Sequence, residues 1–313
     1  MKKIAIIGAG RVGESTAQFL ATRDLSREVV LTDIREGAAE GAALDIQESA
    51  SLFGFDTRLR GDSNNKIIED AEIIIITAGI PRKPGMTRAD VMETNVMVLD
   101  SILDDVLKYA PDSILLLVSN PVDTLTYHAL KRTGWDRSRV IGQAGVLDSS
   151  RMAAFVALET GLSAKDVNAM VMGGHGDVMV PMTRFTTISG IGIEHFLSAE
   201  KIEEIIQRTR VGGAEILQLR GNSSAYDAPA AAVAEMVEAI AYDRKSVLPT
   251  VAYLDGEYGQ DDITIGVPAV LGEKGMERVV ELKLNEEELG YFNTSVESIR
   301  KELVTLSEIT SKA

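Results

Sequence analysis

Apolar residues along the chain gather into short, nearly continuous blocks, and the stretches between them carry helical spacing. Residues 2 to 8 form a β-branched run, and a glycine-rich turn leads from it into a helix-favouring stretch at Glu14 to Thr22. A second strand, Glu28 to Asp33, comes next. The alternation continues with a helix at Gly37 to Ser51, an apolar strand at Ala71 to Ala78, a helix at Val91 to Tyr109 and an apolar strand at Ser113 to Ser119. Runs this apolar are expected of strands covered on both faces. Asp123 to Arg132 and Asp148 to Thr160 are predicted helices on either side of a short strand near Val140 to Gly142. The pattern predicts an α/β chain whose first half, residues 1 to 145, is a doubly wound parallel sheet.

Beyond about residue 146 the pattern changes, and residues 146 to 313 are expected to form a mixed α+β domain. It has one strand at Val167 to Met172, a glycine turn, helices near Ser198 to Leu219 and Pro229 to Tyr242, and several short strands between Val247 and Leu284. A final helix, Asn285 to Ser307, has Asn285 as its cap and Glu286 to Glu288 in its first turn, where the helix dipole favours negative charge. No repeat or low-complexity linker separates the halves, so they are expected to pack closely.

Composition narrows the chemistry. The 313 residues carry a formal charge of −15, no cysteine and three histidines. Thiolate nucleophiles, iron–sulfur clusters and cysteine-ligated zinc are therefore excluded, and no metal site is expected. An acidic chain is poorly suited to nucleic acid or an anionic membrane surface, both of which need a basic face. The apolar blocks are far shorter than the roughly 20 residues that cross a bilayer. The run after Lys2 and Lys3 stops at Gly8, too early for a secretory signal, and the C-terminal Ser311, Lys312 and Ala313 are not a peroxisomal tripeptide. The expected location is the cytoplasm.

Three segments carry candidate chemistry. The first is the turn Gly8, Ala9, Gly10, Arg11, Val12, Gly13, which has the GxGxxG spacing directly after a strand and at the start of a helix. Gly8 permits the tight turn, Gly10 lets the backbone approach a pyrophosphate, and Gly13 lets helix pack on strand. Asp33 stands 20 residues beyond Gly13, at the end of the second strand, where a carboxylate accepts hydrogen bonds from an adenine ribose. Together these predict a Rossmann domain that binds NAD. Asp33 disfavours the 2′-phosphate of NADP, while Arg35 two residues on weakens that preference.

The second segment is the run from Gly173 to Asp177, which sets His175 among glycines after an apolar strand, as suits a base in direct contact with substrate and nicotinamide. His128 and His195 lack such a setting. Asp148 and Arg151 lie three apart on one helix face. They could form a simple local ion pair; alternatively Asp148 orients the histidine and Arg151 grips a carboxylate. The third segment is the cationic loop Ile80 to Arg88, at the carboxyl end of a strand where α/β sheets bind ligands, which suggests a lid over an anionic substrate.

Taken together, Gly8 to Gly13, Ala78 to Arg88, Val118 to Pro121, Gly145 to Arg151 and Gly173 to Asp177 resemble the malate dehydrogenases of the lactate-dehydrogenase-like type, two-domain NAD-dependent 2-hydroxy acid dehydrogenases. The resemblance spans both halves. It implies that His175 is the proton acceptor, Asp148 its carboxylate partner and Arg151 the anchor for the C1 carboxylate. It further implies that Arg88 polarises the C2 oxygen, that Asn120 meets substrate and cofactor, and that Asn95, Val118 and Ser119 line the nicotinamide side. Lactate-specific relatives typically carry glutamine where this chain has Arg82, and an arginine there matches the second carboxylate of oxaloacetate. Lys83 is a possible partner in that role. The small residues from Ser223 to Ala228 suit a pocket with room for a dicarboxylate. The expected reaction is the reversible oxidation of malate to oxaloacetate, with a lactate or broad 2-hydroxy acid dehydrogenase as the alternative. Relatives of this type form dimers or tetramers, so a homo-oligomer is expected, with Gly37 to Ser51 and Ser198 to Leu219 as candidate interface helices.

Overall fold

The computed structural model describes residues 1–80, 87–221 and 223–311, and of Arg88 the backbone alone. The chain begins β1 (Lys3–Ile7), α1 (Arg11–Thr22), β2 (Glu28–Thr32), α2 (Ala38–Glu48), α3 (Ala50–Phe53), β3 (Arg58–Asp62) and β4 (Ile73–Ile76). It continues through α4 (Arg88–Tyr109), β5 (Ile114–Leu117), α5 (Val122–Thr133), β6 (Val140–Gly142) and α6 (Gly145–Thr160). The second half runs β7 (Val167–Asn168), β8 (Val171–Gly173), β9 (Met179–Pro181), β10 (Thr187–Ile188), β11 (Ile191–Gly192), α7 (Ala199–Arg220) and α8 (Asp227–Ala241). It closes with β12 (Ser246–Asp255), β13 (Asp261–Gly272), β14 (Gly275–Val279) and α9 (Glu286–Thr310).

Among the described residues, eleven strands join in one sheet of order β3-β2-β1-β4-β5-β6-β12-β13-β8-β9, with β14 added on β13. The first six are parallel, as their apolar runs predict. Alternate β1 side chains divide between two cores: Ile4 and Ile6 join one, Ala5 and Ile7 the other. That is the expected signature of a strand covered on both faces. The sheet then crosses into the second half, where β12 pairs with β6 through Val251 and Gly142.

Two expectations are corrected by the sheet, and one strand was not expected. The polar edge strand β3 has no counterpart in the apolar pattern. The region 247 to 284 holds two long strands of 10 and 12 residues and one short one, not several short strands. The strand expected at Val167 to Met172 is two pieces, β7 and β8, each paired elsewhere. The final helix does begin at Asn285, whose side chain accepts from the Glu288 N–H while the Glu288 carboxylate accepts from the Asn285 N–H.

The register positions the site. Ile7 stands beside Thr32 and Ile76, and Ile76 beside Leu117, so the loops after β1, β2, β4 and β5 emerge along one edge. The order of strands reverses between β1 and β4, which opens a crevice at that edge.

Candidate active site

The turn after β1 is shaped by close approach. Gly8 has φ +110, and a Cβ there would lie 2.6 Å from the Ala78 nitrogen; one on Gly13 would lie 1.9 Å from the Gly8 oxygen. No side chain is tolerated at either place. Gly10, by contrast, faces open space, with nothing within 4 Å of a Cβ. It is also the N-cap of α1, and among the described residues no side chain caps the helix. Donors left free at a helix start, beneath an open glycine, fit a pyrophosphate. Arg11 is exposed, and its guanidinium lies 5.4 Å from the Tyr226 ring centre, while Val12 is half-buried.

Asp33 accepts from the Ala9 N–H at 2.9 Å and from the backbone and guanidinium of Arg35. Burial works to raise its pKa, but these donors outweigh it and hold the carboxyl below its ordinary range. It is thus an anion, as a ribose acceptor must be. Arg35 is 63% exposed, so its guanidinium has solvent to move into when hydroxyls compete for the carboxylate. The residues present fit NAD.

Asn95 works through backbone. It is buried, accepts from the Ile80 N–H at 2.8 Å and donates to the Asn120 carbonyl at 2.7 Å. It therefore ties the ends of the β4 and β5 loops together. Ser119 Oγ donates to the Ala78 carbonyl at 2.5 Å, Val118 is half-buried beside it, and Asn120 is exposed. Arg82 and Lys83 lie outside the described residues, as does the Arg88 side chain.

On the other side stands His175. Its Nδ1 lies 2.9 Å from Asp148 Oδ2, while Arg151 donates to Asp148 Oδ1 at 3.0 Å. The local ion pair of Asp148 and Arg151 thus exists, and its carboxylate also meets the histidine. Asp148 is 2% exposed and Arg151 9%, against 24% for the imidazole. A carboxylate at Nδ1 requires the hydrogen there, which leaves Nε2 of the neutral ring as the acceptor. The Asp148 charge raises the His175 pKa above its ordinary value; desolvation opposes it, and the Asp123 charge adds to it.

The glycines around His175 act partly through conformation. Gly173 and Gly176 take φ +83 and +104, and a Cβ on Gly176 would meet nothing within 4 Å. Removal of bulk is the reason at Gly174, where a Cβ would stand 3.1 Å from Ile299. His128 is instead buried against Asp100 at 2.7 Å, and His195 is exposed beside Glu194.

Sequence reasoning missed Asp123. In the first turn of α5, it accepts from the His175 N–H at 3.0 Å, and its other oxygen is buried without a partner among the described residues. Burial pushes its pKa up to about 7, against the hydrogen bond and charge of His175. His175 and Asp123 line a cavity of about 760 Å³ with Ile80 and Asn120 from the sheet edge and Ile299, Lys301 and Glu302 from α9. Neither Asp148 and Arg151 nor the segment Ser223 to Ala228 lines it; Asp227 in that segment lies 3.4 Å from Ser15 on α1. Among the described residues no acidic or histidine cluster could hold a metal, and no helix is long and apolar enough to cross a membrane.

A dinucleotide turn at one end of the sheet and an imidazole held by a buried carboxylate at its edge define an NAD-dependent oxidoreductase. Residues 2–142 match the NAD-binding domain, and residues 145–310 the alpha/beta C-terminal domain, of the lactate/malate dehydrogenases. The chain belongs to the lactate/malate dehydrogenase family. It is 66% identical to a malate dehydrogenase of Thioalkalivibrio sulfidiphilus over 97% of this chain and 99% of that one. It is 59% identical to one of Nitrosococcus oceani over 98% and 99%. Among solved structures, the malate dehydrogenase of Salinibacter ruber superposes with a TM-score of 0.95 at 42% identity, covering 99% of both chains. A lactate dehydrogenase of Cryptosporidium parvum, complexed with lactic acid and the dinucleotide, gives 0.93 at 36% over 98% of each.

Proposed function

We propose that this chain catalyses the reversible NAD-dependent oxidation of (S)-malate to oxaloacetate. The observation that carries the reading is the buried Asp148 carboxylate shared between His175 Nδ1 and the Arg151 guanidinium. It supports reading the two as a proton acceptor beside a carboxylate anchor, the pair that a 2-hydroxy acid requires. The names of the relatives at 59 to 66% identity support the four-carbon substrate. Overall shape does not separate malate from lactate, since both enzymes superpose closely on the chain.

Arg151 pairs with the C1 carboxylate through its planar fork. Neutral His175 takes the C2 hydroxyl proton at Nε2, and the C2–H bond breaks as its electron pair leaves as hydride. Bound NAD supplies the acceptor for that hydride. Asp148 stabilises the imidazolium that forms, and the reverse reaction starts from that imidazolium. Arg88 polarises the C2 oxygen, and Asn120 contacts substrate and cofactor. Gly8 to Gly13 and Asp33 hold the pyrophosphate and ribose, with Asn95, Val118 and Ser119 on the nicotinamide side.

Arg82 selects the substrate, with Lys83 as its possible partner. An unpaired buried carboxylate costs roughly several kcal/mol, so a cation opposite C4 discriminates where apolar shape cannot. NADH oxidation with oxaloacetate and pyruvate side by side tests this. The expected kcat/KM favours oxaloacetate by about a thousandfold or more, and Arg82→Gln moves the preference toward pyruvate. Faster turnover of pyruvate by the native protein would assign the chain to lactate or broad-range dehydrogenases instead.

We infer that the chain works in the cytoplasm as a dimer or tetramer. Exposed Leu44, Leu52 and Phe53 on α2 and α3, and Val211, Leu217 and Leu219 on α7, support burial against further copies. The start of α6 at Gly145, shortly after the last parallel strand ends at Gly142, supports a domain boundary between residues 145 and 146.

A further inference from the structure

The middle of α7 holds two consecutive glycines, Gly212 and Gly213, in the interior of a 22-residue helix. Glycine is a poor helix former, and alanine at the same positions favours the helix. The surroundings of the two differ. A Cβ on Gly212 would lie 2.3 Å from Arg151 Cδ and 2.7 Å from its Nε, whereas one on Gly213 would meet nothing within 4 Å. Gly212 is buried, and it faces α6 where Arg151 leaves that helix.

Arg151 has little freedom to yield. Its side chain is 9% exposed, and Nη1 is already held by Asp148 at 3.0 Å. The stem therefore runs between a fixed carboxylate and the bare backbone of α7, and its route decides where the guanidinium fork points. We propose that Gly212 is a positioning residue for substrate, whose missing side chain leaves the channel that aims Arg151 at the C1 carboxylate. The inference rests on the reading of Arg151 as that anchor. Any added carbon at position 212 displaces the stem, and planar two-point recognition tolerates little misalignment.

Steady-state kinetics and NADH titration of Gly212→Ala, Gly213→Ala and Arg151→Lys test it. Gly212→Ala is expected to raise the KM for oxaloacetate about tenfold or more, the loss of one charge-assisted hydrogen bond, with a smaller change in kcat. Its NADH affinity stays within about twofold of the native value, which shows that the fold and the remote dinucleotide turn are intact. Gly213→Ala keeps native kinetics. Arg151→Lys retains the charge but not the fork, and loses oxaloacetate binding. A native KM in Gly212→Ala beside an impaired Arg151→Lys would overturn the role of Gly212 and leave the anchor standing. A native KM in Arg151→Lys would overturn the anchor itself. Equal impairment of both glycine variants, or a parallel loss of NADH binding in Gly212→Ala, would reduce Gly212 to a packing residue.

Discussion

Asp123 and Asp148 both touch His175, yet they do so from different positions and with different consequences. Asp148 meets the ring at Nδ1, and its second oxygen is taken by Arg151. Asp123 meets the backbone N–H, and one of its oxygens is buried without a partner among the described residues. The groups facing it are His175, Asp148 and Glu302, and two of these are acidic. With its pKa raised by burial to about 7, Asp123 contributes stability that is complete below its unfolded pKa, near 4, and lost as pH rises through 7. Urea unfolding of the native protein and Asp123→Asn at pH 5 and pH 8 checks the sign: the native protein should lose more stability across that interval than the variant. Equal losses would mean that Asp123 is ionised throughout. Nothing in the sequence marked this residue, because an aspartate in a helix's first turn is what the dipole alone would favour. The Asp148–Arg151 spacing and the glycine setting of His175 were legible as local features, whereas the contact of His175 with Asp148 joins separate elements and was implied by the resemblance. Gly212 was not, because its reason lies on another helix.

The elements divide along similar lines. Strands buried on both faces announce themselves as apolar runs, so β1, β2, β4, β5 and β6 were readable to within a few residues. The edge strand β3, with the sequence RLRGD, is covered on fewer sides and carries charge, and it left no such trace. The region of the long strands β12 and β13 was expected to hold several short strands; each of the two carries a proline in its interior, Pro249 and Pro268. In the sheet these stand opposite each other, and neither has an N–H to give to the ladder. The start of α1 joins sequence and function most tightly, because a Cβ on Gly13 would lie 1.9 Å from the Gly8 oxygen. Gly13→Ala should push α1 away from β1 and weaken NADH binding by about tenfold or more, as fluorescence titration would show. Native affinity in that variant would mean that the turn does not hold the pyrophosphate.

Across the molecule, one continuous sheet carries the dinucleotide turn in its parallel part and reaches His175 through β12, β13 and β8. Helix α5 stitches the two parts together. Its Asp123 side chain accepts from the His175 N–H and its carbonyl accepts from Thr264 on β13, while Thr124 bonds Glu302 on α9. The sheet edge and the turn that carries His175 are therefore fixed relative to each other, as the orientation-dependent hydride transfer proposed for them demands. That arrangement assigns one proton to one ring. On the proposed mechanism malate binds when His175 is neutral and oxaloacetate when it is protonated, and the Asp148 carboxylate sets the crossover above the ordinary histidine value of about 6.5. The decisive measurement is the ratio of malate to oxaloacetate affinity, in their complexes with NAD and NADH respectively, across pH 5 to 9. The ratio should rise about tenfold per pH unit through the His175 pKa; a ratio that does not change with pH would show that the proton is held elsewhere.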